Sequence, residues 1–583
     1  MTFTTRPTLR GTFGMVSSTH WLASQSAMRI LELGGNAFDA GAAAGFVLHV
    51  VEPHLNGPGG EVPAIIATAD DPAPRVLCGQ GVAPAGATIE HYRSLGLALV
   101  PGSGPLAATV PGAVDAWLLL LRDHGTLPLS VVLEPAIEYA RNGHPLVPRI
   151  ADTIGTVQEL FEQHWPTSAA LWLKDGRPVT GRFSNPVYAD TLERLVREAT
   201  GADRQEQIER ARKAWREGFV AEAVDKFSRI PHRDSSGEDH GGLITGADMA
   251  AFQASWEDPA TYDWNGYTVA KTGPWGQGPG LLQSLAVLAA LGEVDLDSAE
   301  GVHTTVEVMK LSYADREAWY GDGADVPLET LLSPAYAAER AKLVGADASL
   351  ELRPGRPDGR TPVLPSIATG HETGDATTGE PTVSAVGETR GDTCHVDVVD
   401  RWGNMISATP SGGWLQSSPT IPELGFCLGS RAQMFWLEEG LPASLAPGKR
   451  PRTTLTPTLV LRDGAAVMAC GSPGGDQQDQ WQLLFLLRHL GAGADLQEAI
   501  DAPAWHTTGF PSSFYPRTTE PGGLVLESRV GAGIRDELVR RGHVVTESDP
   551  WSLGRLCAVR KEPDGVLAAA ANPRGMQGYA VGR

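Results

Sequence analysis

Apolar residues in the first 350 positions recur mostly at the three- and four-residue spacing that is typical of amphipathic helices. The spacing predicts a helix over 21–33, which Gly34-Gly35 ends, and a second helix, rich in Ala and Gly, over 37–50. A strand is predicted over 62–67, after a tight turn over 57–60. Further helices are predicted over 114–123, 131–142, 188–199, 205–227, 281–291 and 302–319. This spacing is typical of helices laid over a sheet.

The pattern changes over residues 354–392, a stretch rich in turn-forming residues. Of the 38 residues from 354 to 391, 21 are Pro, Gly, Ser or Thr and none is aromatic, so we predict a mobile connector over 354–392. Directly after it, alternation with period two predicts a strand over 393–399, a turn over 400–404 and a second strand over 405–409. A flexible segment that enters a rigid strand is what a self-cleaving precursor requires.

Composition argues against several classes of function. The 583 residues carry 47 Lys and Arg against 69 Asp and Glu, a net charge of −22, which argues against a nucleic-acid partner. No apolar run is long enough to span a membrane, and the N-terminus lacks the features of a signal peptide, so we expect a cytoplasmic location. The five cysteines form no Cys-x-x-Cys pair and no His-Glu-x-x-His motif occurs, so neither a metal nor another cofactor is indicated.

Thr393 stands at the junction between the connector and the strand. If the bond between Asp392 and Thr393 breaks, the new α-amine, whose pKa is about 8, can take the proton of the Thr393 hydroxyl and make it a nucleophile. Before cleavage, the same hydroxyl could attack the Asp392 carbonyl and form an ester that water hydrolyses. On this dipeptide alone, an ordinary turn into a strand is the simpler explanation.

Two further motifs follow along the chain. Gly474 and Gly475 lie between a predicted strand over 465–470 and a predicted helix over 477–490, where their N–H groups could face a developing oxyanion. Thr453 and Thr454, between two prolines, present adjacent hydroxyls that could hydrogen-bond to an acyl group. Each motif taken singly is more often structural.

In this order and at these separations, the motifs resemble the γ-glutamyltransferase (γ-glutamyl transpeptidase) family of N-terminal-nucleophile hydrolases, over nearly the whole chain. The resemblance implies an α/β (α+β) fold, a four-layer αββα sandwich, with autoproteolysis between Asp392 and Thr393. The products would be a large subunit, 1–392, and a small subunit, 393–583, which together form one composite domain. Other segments that look like the family are Gly34-Gly35-Asn36-Ala37, Val110-Pro111-Gly112, Gly242-Leu243-Ile244-Thr245 and Ala570–Arg574.

The resemblance also implies roles for single residues. Thr393 matches the family nucleophile, Ser411 falls where a second hydroxyl steadies it, and Gly474 and Gly475 match the oxyanion hole. The reaction would pass through an acyl ester on Thr393, released to water or to an amine, without a cofactor. The expected partners are a small acyl or amide substrate and the two subunits of the precursor, in a dimer of subunit pairs. The family's paired substrate-binding serines correspond here to Thr453 and Thr454.

Three positions depart from the family pattern at its substrate-recognition residues. The arginine that binds the α-carboxylate of a γ-glutamyl group is replaced by Ile89, and an asparagine near Ser411 is replaced by Gly413. The aspartate expected shortly after a Gln-Met pair is absent, because Phe435 and Trp436 follow that pair here. Loss of these contacts predicts an acyl hydrolase whose substrate is not γ-glutamyl and whose acyl pocket is smaller or more apolar.

Trp414, Phe435 and Trp436 are the aromatic residues that we expect to line this pocket. Arg93 and Arg452 lie near enough in sequence to supply a substitute cation, although each is more typical of a surface or structural arginine.

Several alternatives stay open on the sequence. Cys394 is intrinsically more reactive than threonine, but strand alternation points it to the face opposite Thr393. The chain could instead be a true γ-glutamyltransferase or glutathione hydrolase, a hydrolase of a C–C bond in a natural-product pathway, or an unprocessed inactive homologue.

Overall fold

Two seven-stranded sheets packed face to face form the centre of this computed structural model, which describes residues 3–323, 325–368 and 393–583. Neighbouring strands are antiparallel in both sheets. In spatial order, sheet A contains Leu9–Gly11, Leu567–Ala571, Cys557–Lys561, Ala465–Gly471, Thr458–Arg462, Tyr267–Lys271 and Ala260–Trp264. Sheet B contains Ser255–Glu257, Arg75–Gly79, Val62–Ala67, Met405–Ala408, Val396–Asp400, Gly14–Ser18 and Tyr579–Gly582.

Apolar side chains fill the space between the two sheets. Ile65 and Val399 of sheet B belong to one buried cluster with Leu459 and Val559 of sheet A. Two larger apolar clusters lie on the outer faces of the sheets, beneath the helices. The order helix, sheet, sheet, helix confirms the four-layer sandwich that the family resemblance implied.

Helices cover both outer faces, either directly on the sheet or through another helix. On the side of sheet B lie Trp21–Glu32, Ala37–Val51, Ala113–His124, Leu129–Asn142, Pro186–Glu198, Arg204–Glu217 and Phe219–Ser228. On the side of sheet A lie Gly278–Leu291, Ala299–Trp319, Pro334–Ala341, Gln478–Leu486, Leu496–Asp501 and Ala532–Arg540. Shorter helices are Ile89–Ser94, Pro148–Thr156, Gln158–Gln163, Pro166–Trp172, Gly246–Ala251 and Leu328–Leu331, and a small third sheet joins Trp505–Thr507, Gly523–Glu527 and Val544–Ser548.

The helix Ala37–Val51 shows how small residues let a helix approach the sheet closely. Its fifteen residues are all buried, and the Asn36 side chain caps its first turn by accepting hydrogen bonds from the backbone N–H groups of Phe38 and Asp39. A Cβ added at Gly41 would lie 3.2 Å from Ile406 of sheet B, and one at Gly45 would lie 2.4 Å from the Trp117 ring. A larger side chain at Gly41 would therefore push the helix off sheet B, and one at Gly45 would push it away from the helix Ala113–His124.

One predicted helix is wrong in its extent. The segment predicted as a single helix over 205–227 is two helices, Arg204–Glu217 and Phe219–Ser228. Gly218 separates them because its backbone, at φ −106° and ψ −142°, leaves the helical region. The helix predicted over 477–490 ends at Leu486 and continues as a π-helical turn over Leu487–Gly491.

Strands from the two sides of the predicted cleavage site alternate within the sheets. In sheet B, Gly14–Ser18 lies between Val396–Asp400 and Tyr579–Gly582, so a strand of the predicted large subunit is held between two strands of the small one. Sheet A joins Leu9–Gly11 to Leu567–Ala571 at one side and Tyr267–Lys271 to Thr458–Arg462 at the other. Each sheet is thus built from both predicted subunits.

The first part of the predicted connector packs on the body of the fold. The backbone N–H of Gly355 donates to Asp315 at 2.6 Å, and the carbonyl of Ala368 accepts from the N–H of Thr519 at 3.1 Å. Residues 369–392, and with them Asp392 at the predicted cleavage site, lie outside the described residues. Within the described ranges, no helix combines the length and apolar character needed to cross a membrane.

Candidate active site

Thr393 lies just before the strand Val396–Asp400 of sheet B. Its side chain is fully buried and it pairs across the sheet with Ser411, whose Oγ is 3.1 Å from the Thr393 Oγ1. The N–H of Cys394 donates to the carbonyl of Pro410 at 2.9 Å, which continues the antiparallel register beyond the regular strand. The structure therefore brings together the two hydroxyls that the sequence predicted as neighbours.

A buried ion pair adjoins these hydroxyls. Arg431 donates from Nη2 to the Ser411 Oγ at 2.8 Å and from Nε to Oε1 of Glu61 at 2.5 Å, and both charged side chains are almost completely buried. Backbone hydrogen bonds of 2.9 and 3.0 Å pair Glu61 with Ser411. Arg431 and Glu61 are absent from the residues predicted above, and they place a cation two hydrogen bonds from the hydroxyl of Thr393.

The glycine-rich turn over residues 57–60 explains how Glu61 reaches this position. A Cβ added at Gly59 would lie 2.0 Å from the carbonyl oxygen of Cys427, and one added at Gly60 would lie 2.1 Å from that of Ser411. Only glycine permits this approach of three backbone segments. The segment is the tight turn predicted from the sequence, and it places Glu61 beside Ser411, with which its backbone pairs.

Gly474 and Gly475 follow the strand Ala465–Gly471 on the facing sheet. Their φ angles are 125° and 52°, and an added Cβ would lie 2.2 Å from Trp481 or 2.9 Å from Phe514 respectively. Neither backbone N–H donates a hydrogen bond to any atom in the part of the chain that the structure describes. Such N–H groups are suited to an oxyanion, which is the role predicted for them.

Gln478 and Thr454 flank the nucleophile on the same side. The amide nitrogen of Gln478 donates to the carbonyl oxygens of Thr454 and Ser472, each at 3.2 Å. Its amide oxygen then lies 3.5 Å from the Thr393 Oγ1. The buried hydroxyl of Thr454 has no hydrogen-bond partner among the described residues and is available to a substrate. The hydroxyl of Thr453, by contrast, accepts from the backbone N–H of Leu455 at 3.3 Å.

A polar network ties the nucleophile strand to the strand that leads to the glycines. His395 contacts Thr409 through Nδ1 at 3.0 Å and Asp397 through Nε2 at 2.9 Å. Burial raises the pKa of the Asp397 carboxyl, and the adjacent histidine opposes that shift. The His395 ring lies so close to Gly471 that an added Cβ there would be 2.1 Å from it. The network thus fixes the separation of the strands that carry Thr393 and the predicted oxyanion hole.

The structure does not bring together in one cluster the three aromatic residues predicted to line the acyl pocket, because they belong to three separate apolar clusters. Trp414 packs with Met434 and Phe514, 5.0 Å below the guanidinium of Arg431. Phe435 belongs instead to an apolar cluster with Ile89, at the start of the short helix Ile89–Ser94.

Trp436 belongs to neither of these groups. The guanidinium of Arg517 lies 3.6 Å over its ring, and its Nε1 donates to Glu317 at 2.8 Å. Trp414 is therefore the one of the three predicted aromatics that is shown beside Arg431.

Gly413 has a local reason to be glycine. Its φ is 65°, and an added Cβ would lie 2.9 Å from the backbone nitrogen of Gly60. The asparagine that the family resemblance implied at this position would require the 57–60 turn to move.

The two arginines considered as substitute cations are held elsewhere. Arg93 is half-exposed and donates to the carbonyl of Leu437 at 2.9 Å. Arg452 is buried and pairs with Glu317 at 2.7 Å. Both contacts are structural, as expected. Two other buried arginines adjoin the nucleophile: Arg431, through Ser411, and Arg555, whose Nη2 donates to the Thr393 carbonyl at 3.3 Å.

Cys394 lies on the opposite face of the strand from Thr393, in a buried polar cluster. Its Sγ donates to Oε2 of Glu52 at 2.9 Å and accepts from the amide of Asn56 at 3.1 Å. Burial, and then the neighbouring Glu52 carboxylate, raise the pKa of the Cys394 thiol well above its usual value. The thiol therefore stays protonated and is a poor nucleophile.

Replacement of Cys394 by alanine is accordingly expected to leave hydrolysis within about tenfold of wild type, since a poor nucleophile is lost rather than the reacting group. Leaving Glu52 with one donor fewer lowers stability by about 1–3 kcal/mol. Initial rates and thermal denaturation of the purified variant measure the two effects. A loss of activity as large as that of a Thr393 variant would make Cys394 the nucleophile.

The family model described as gamma-glutamyltranspeptidase matches residues 23–582. The chain belongs to this family. Among curated relatives, the glutathione hydrolase-like YwrD proenzyme of Bacillus subtilis (strain 168) is 32% identical over 98% of this chain and 99% of its own. The oxamate amidohydrolase proenzyme of Klebsiella pneumoniae subsp. pneumoniae is 31% identical over 97% of each chain. The solved structure of LmbA2991HD is 61% identical, with a TM-score of 0.95 and complete coverage of both chains.

Membership in the gamma-glutamyltranspeptidase family makes the protein an enzyme, an acyl hydrolase or transferase of the N-terminal-nucleophile type. The relatives are named as proenzymes, which implies a precursor that is processed into subunits. Within the family, this chain combines the paired hydroxyls of Thr393 and Ser411 with the Arg431–Glu61 pair.

Proposed function

We propose that the protein hydrolyses a short acyl compound that carries a negatively charged or carbonyl oxygen beside the scissile carbonyl, through an ester on Thr393. The observation that supports the proposal is the position of Arg431. Its Nη2 donates to the Ser411 Oγ at 2.8 Å, and that Oγ lies 3.1 Å from the Thr393 Oγ1. One hydroxyl group therefore links the guanidinium to the hydroxyl of Thr393. A γ-glutamyl group carries its α-carboxylate farther along the acyl chain. The arginine that would bind it in the family pattern is replaced here by Ile89.

The chemical steps use the groups around Thr393. After cleavage before Thr393, its α-amine takes the hydroxyl proton, and the oxygen forms a bond to the substrate carbonyl carbon. The N–H groups of Gly474 and Gly475 hold the resulting oxyanion. As the bond to the leaving nitrogen breaks, the ammonium returns the proton to that nitrogen. Water, deprotonated by the same amine, then attacks the ester and releases the acid and the Thr393 hydroxyl.

Oxamate is a compound of this kind, because its carboxylate is bonded directly to its amide carbonyl. An arginine that binds such a carboxylate forms a charge-assisted hydrogen bond, which is stronger than a neutral one. The Arg431–Glu61 pair has no formal net charge, so a single carboxylate is a better match for this site than a substrate with several negative charges. The name of the Klebsiella relative supports the same class of substrate.

The proposal predicts that oxamate is turned over in preference to γ-glutamyl-p-nitroanilide and to acetamide, which lacks the carboxylate. The kcat/KM for oxamate should exceed that for acetamide by about 10- to 100-fold, the range expected for one charge-assisted hydrogen bond. Ammonia release and p-nitroaniline absorbance measure the three rates. Faster turnover of the γ-glutamyl substrate would show instead a true γ-glutamyltransferase or glutathione hydrolase.

We also infer a cytoplasmic enzyme whose subunits, 1–392 and 393–583, stay together and assemble as a dimer of pairs. The five cysteines support a reducing compartment, because all are buried and free. Light scattering of the processed protein measures the assembly.

A further inference from the structure

A cavity opens at the same end of sheet B as the nucleophile. It follows the strand Arg75–Gly79 and has a volume of about 620 Å³, which is within the usual range for small-molecule sites. We call it the Gln80 cavity, after the residue at its inner wall. Its charged and polar lining consists of Gln80, Cys78, Asp248, Gln253, Ser255, Glu257, Asp322 and Arg450.

The register of sheet B places this cavity in line with Thr393. Val62 pairs with Gly79, so Glu61 stands opposite Gln80, and Glu61 in turn pairs with Ser411, which pairs with Thr393. Three strand spacings separate Gln80 from Thr393, or about 14 Å. The Glu61–Arg431 pair stands between them, so the Gln80 cavity is distinct from the acyl site.

The charged residues of the cavity leave it negative. Arg450 pairs with Glu257 at 2.5 Å and with Asp322 at 2.7 Å, so one cation serves two carboxylates. Asp248 adds a third carboxylate, which accepts from the backbone N–H of Ala85 at 2.8 Å. The lining therefore carries three negative charges against one positive charge.

Gln80 supplies an acceptor that faces the cavity. Its side chain is fully buried, and its Nε2 donates to the carbonyl of Gly81 at 3.2 Å. Its Oε1 has no hydrogen-bond donor in the ranges that the structure describes, although a buried polar atom is normally paired. A ligand that donates a hydrogen bond would satisfy it.

The remaining walls are apolar or neutral. Val82, Ala83, Phe252 and Pro447 form the apolar side of the cavity. Burial raises the pKa of the Cys78 thiol to about 11, so the thiol remains neutral. A ligand here meets an apolar wall on one side and carboxylates with an unpaired acceptor on the other.

We propose that the Gln80 cavity binds a protonated primary amine carried on an apolar stem. The ammonium donates to the Gln80 Oε1 and is attracted by the carboxylates of Glu257 and Asp322, while the stem packs on Phe252 and Pro447. Binding of the amine is reversible and non-covalent, and it does not depend on the substrate proposed for Thr393.

Isothermal titration calorimetry with 2-phenylethylamine tests the proposal on the wild-type protein. The amine should bind at least about tenfold more tightly than 2-phenylethanol or phenylacetate, which share its ring but lack the positive charge. Raising the salt concentration from 0.05 to 0.5 M should weaken binding of the amine and leave that of the alcohol unchanged. Equal affinity for amine and alcohol, or no binding of the amine, overturns the proposal.

A matched pair of variants locates the site. Gln80→Met keeps the length of the side chain but removes the acceptor, and should raise the Kd of the amine about tenfold, the scale of one hydrogen bond to a charged group. Glu439→Gln removes an exposed carboxylate outside the cavity and should leave the Kd unchanged. An unchanged Kd in Gln80→Met would place the amine elsewhere. Because binding is measured without turnover, failure of the oxamate prediction leaves this result interpretable.

Discussion

Replacement of Thr393 by valine is expected to leave the protein as a single 583-residue chain and to abolish hydrolysis. Valine keeps the branched shape of threonine in this fully buried position but removes the hydroxyl that would attack both the preceding peptide bond and the substrate. The expected loss of hydrolysis is roughly 10⁴- to 10⁶-fold, as for nucleophiles removed from other acyl enzymes. A denaturing gel and a hydrolysis assay with oxamate measure the two effects.

Thr393→Ser is the matched control, because it retains the hydroxyl with one methyl fewer. It should still be cleaved into two chains and should keep measurable activity. If Thr393→Val is cleaved like the wild type, Thr393 is not the processing nucleophile. If it is uncleaved but fully active, processing and hydrolysis use different groups.

Replacement of Arg431 by methionine is expected to lower both stability and activity. The change leaves the carboxylate of Glu61, which is 2% exposed, without the cation that now bonds it at 2.5 Å. Removal of one member of a buried ion pair lowers the free energy of unfolding by about 3–5 kcal/mol. The loss of the contact to Ser411 also removes the proposed carboxylate partner, so kcat/KM for oxamate should fall by at least about 10- to 100-fold. Urea denaturation and steady-state kinetics measure these effects.

The double variant Glu61→Gln/Arg431→Met separates the two consequences. With the carboxylate neutralised, most of the lost stability should return, whereas hydrolysis of oxamate should remain impaired. Arg93→Met, which changes a half-exposed arginine, serves as a control and should shift stability by no more than about 0.5 kcal/mol. Recovery of full activity in the double variant would contradict a role for Arg431 in binding substrate.

The parts of the site that could be predicted from the sequence are those that lie close together along the chain. Thr393 and Ser411 belong to two strands joined by a short turn, so period-two alternation places their side chains on one face. The glycines at 474 and 475 follow a strand directly, and their positive φ angles agree with the turn expected there. The roles of these residues came from the resemblance to the family, because strand alternation and turn signals predict positions but not functions.

The Arg431–Glu61 pair could not be predicted, because its partners are 370 residues apart and neither lies in a periodic segment. The only sequence signal near Glu61 is the 57–60 glycine run, which predicts a turn but not what the turn approaches. The separation of the aromatic residues that were predicted to share a pocket has a simple cause. Phe435 and Trp436 are consecutive, and Phe435 has an extended backbone, in which successive side chains point to opposite sides.

The alternation of strands from both predicted subunits determines whether the protein can refold after cleavage. Cleavage before Thr393 would leave Gly14–Ser18 still hydrogen-bonded between two strands of the other fragment. In the precursor, one covalent chain keeps the interleaved strands at a high local concentration while they fold. Cleavage after folding does not change the folded sheets, but a cleaved molecule that unfolds no longer has this high local concentration when it refolds. A mature molecule that unfolds would have to rebuild both sheets from two separate chains. Maturation therefore acts as a one-way step, after which persistence depends on the rate of unfolding rather than on the ability to refold.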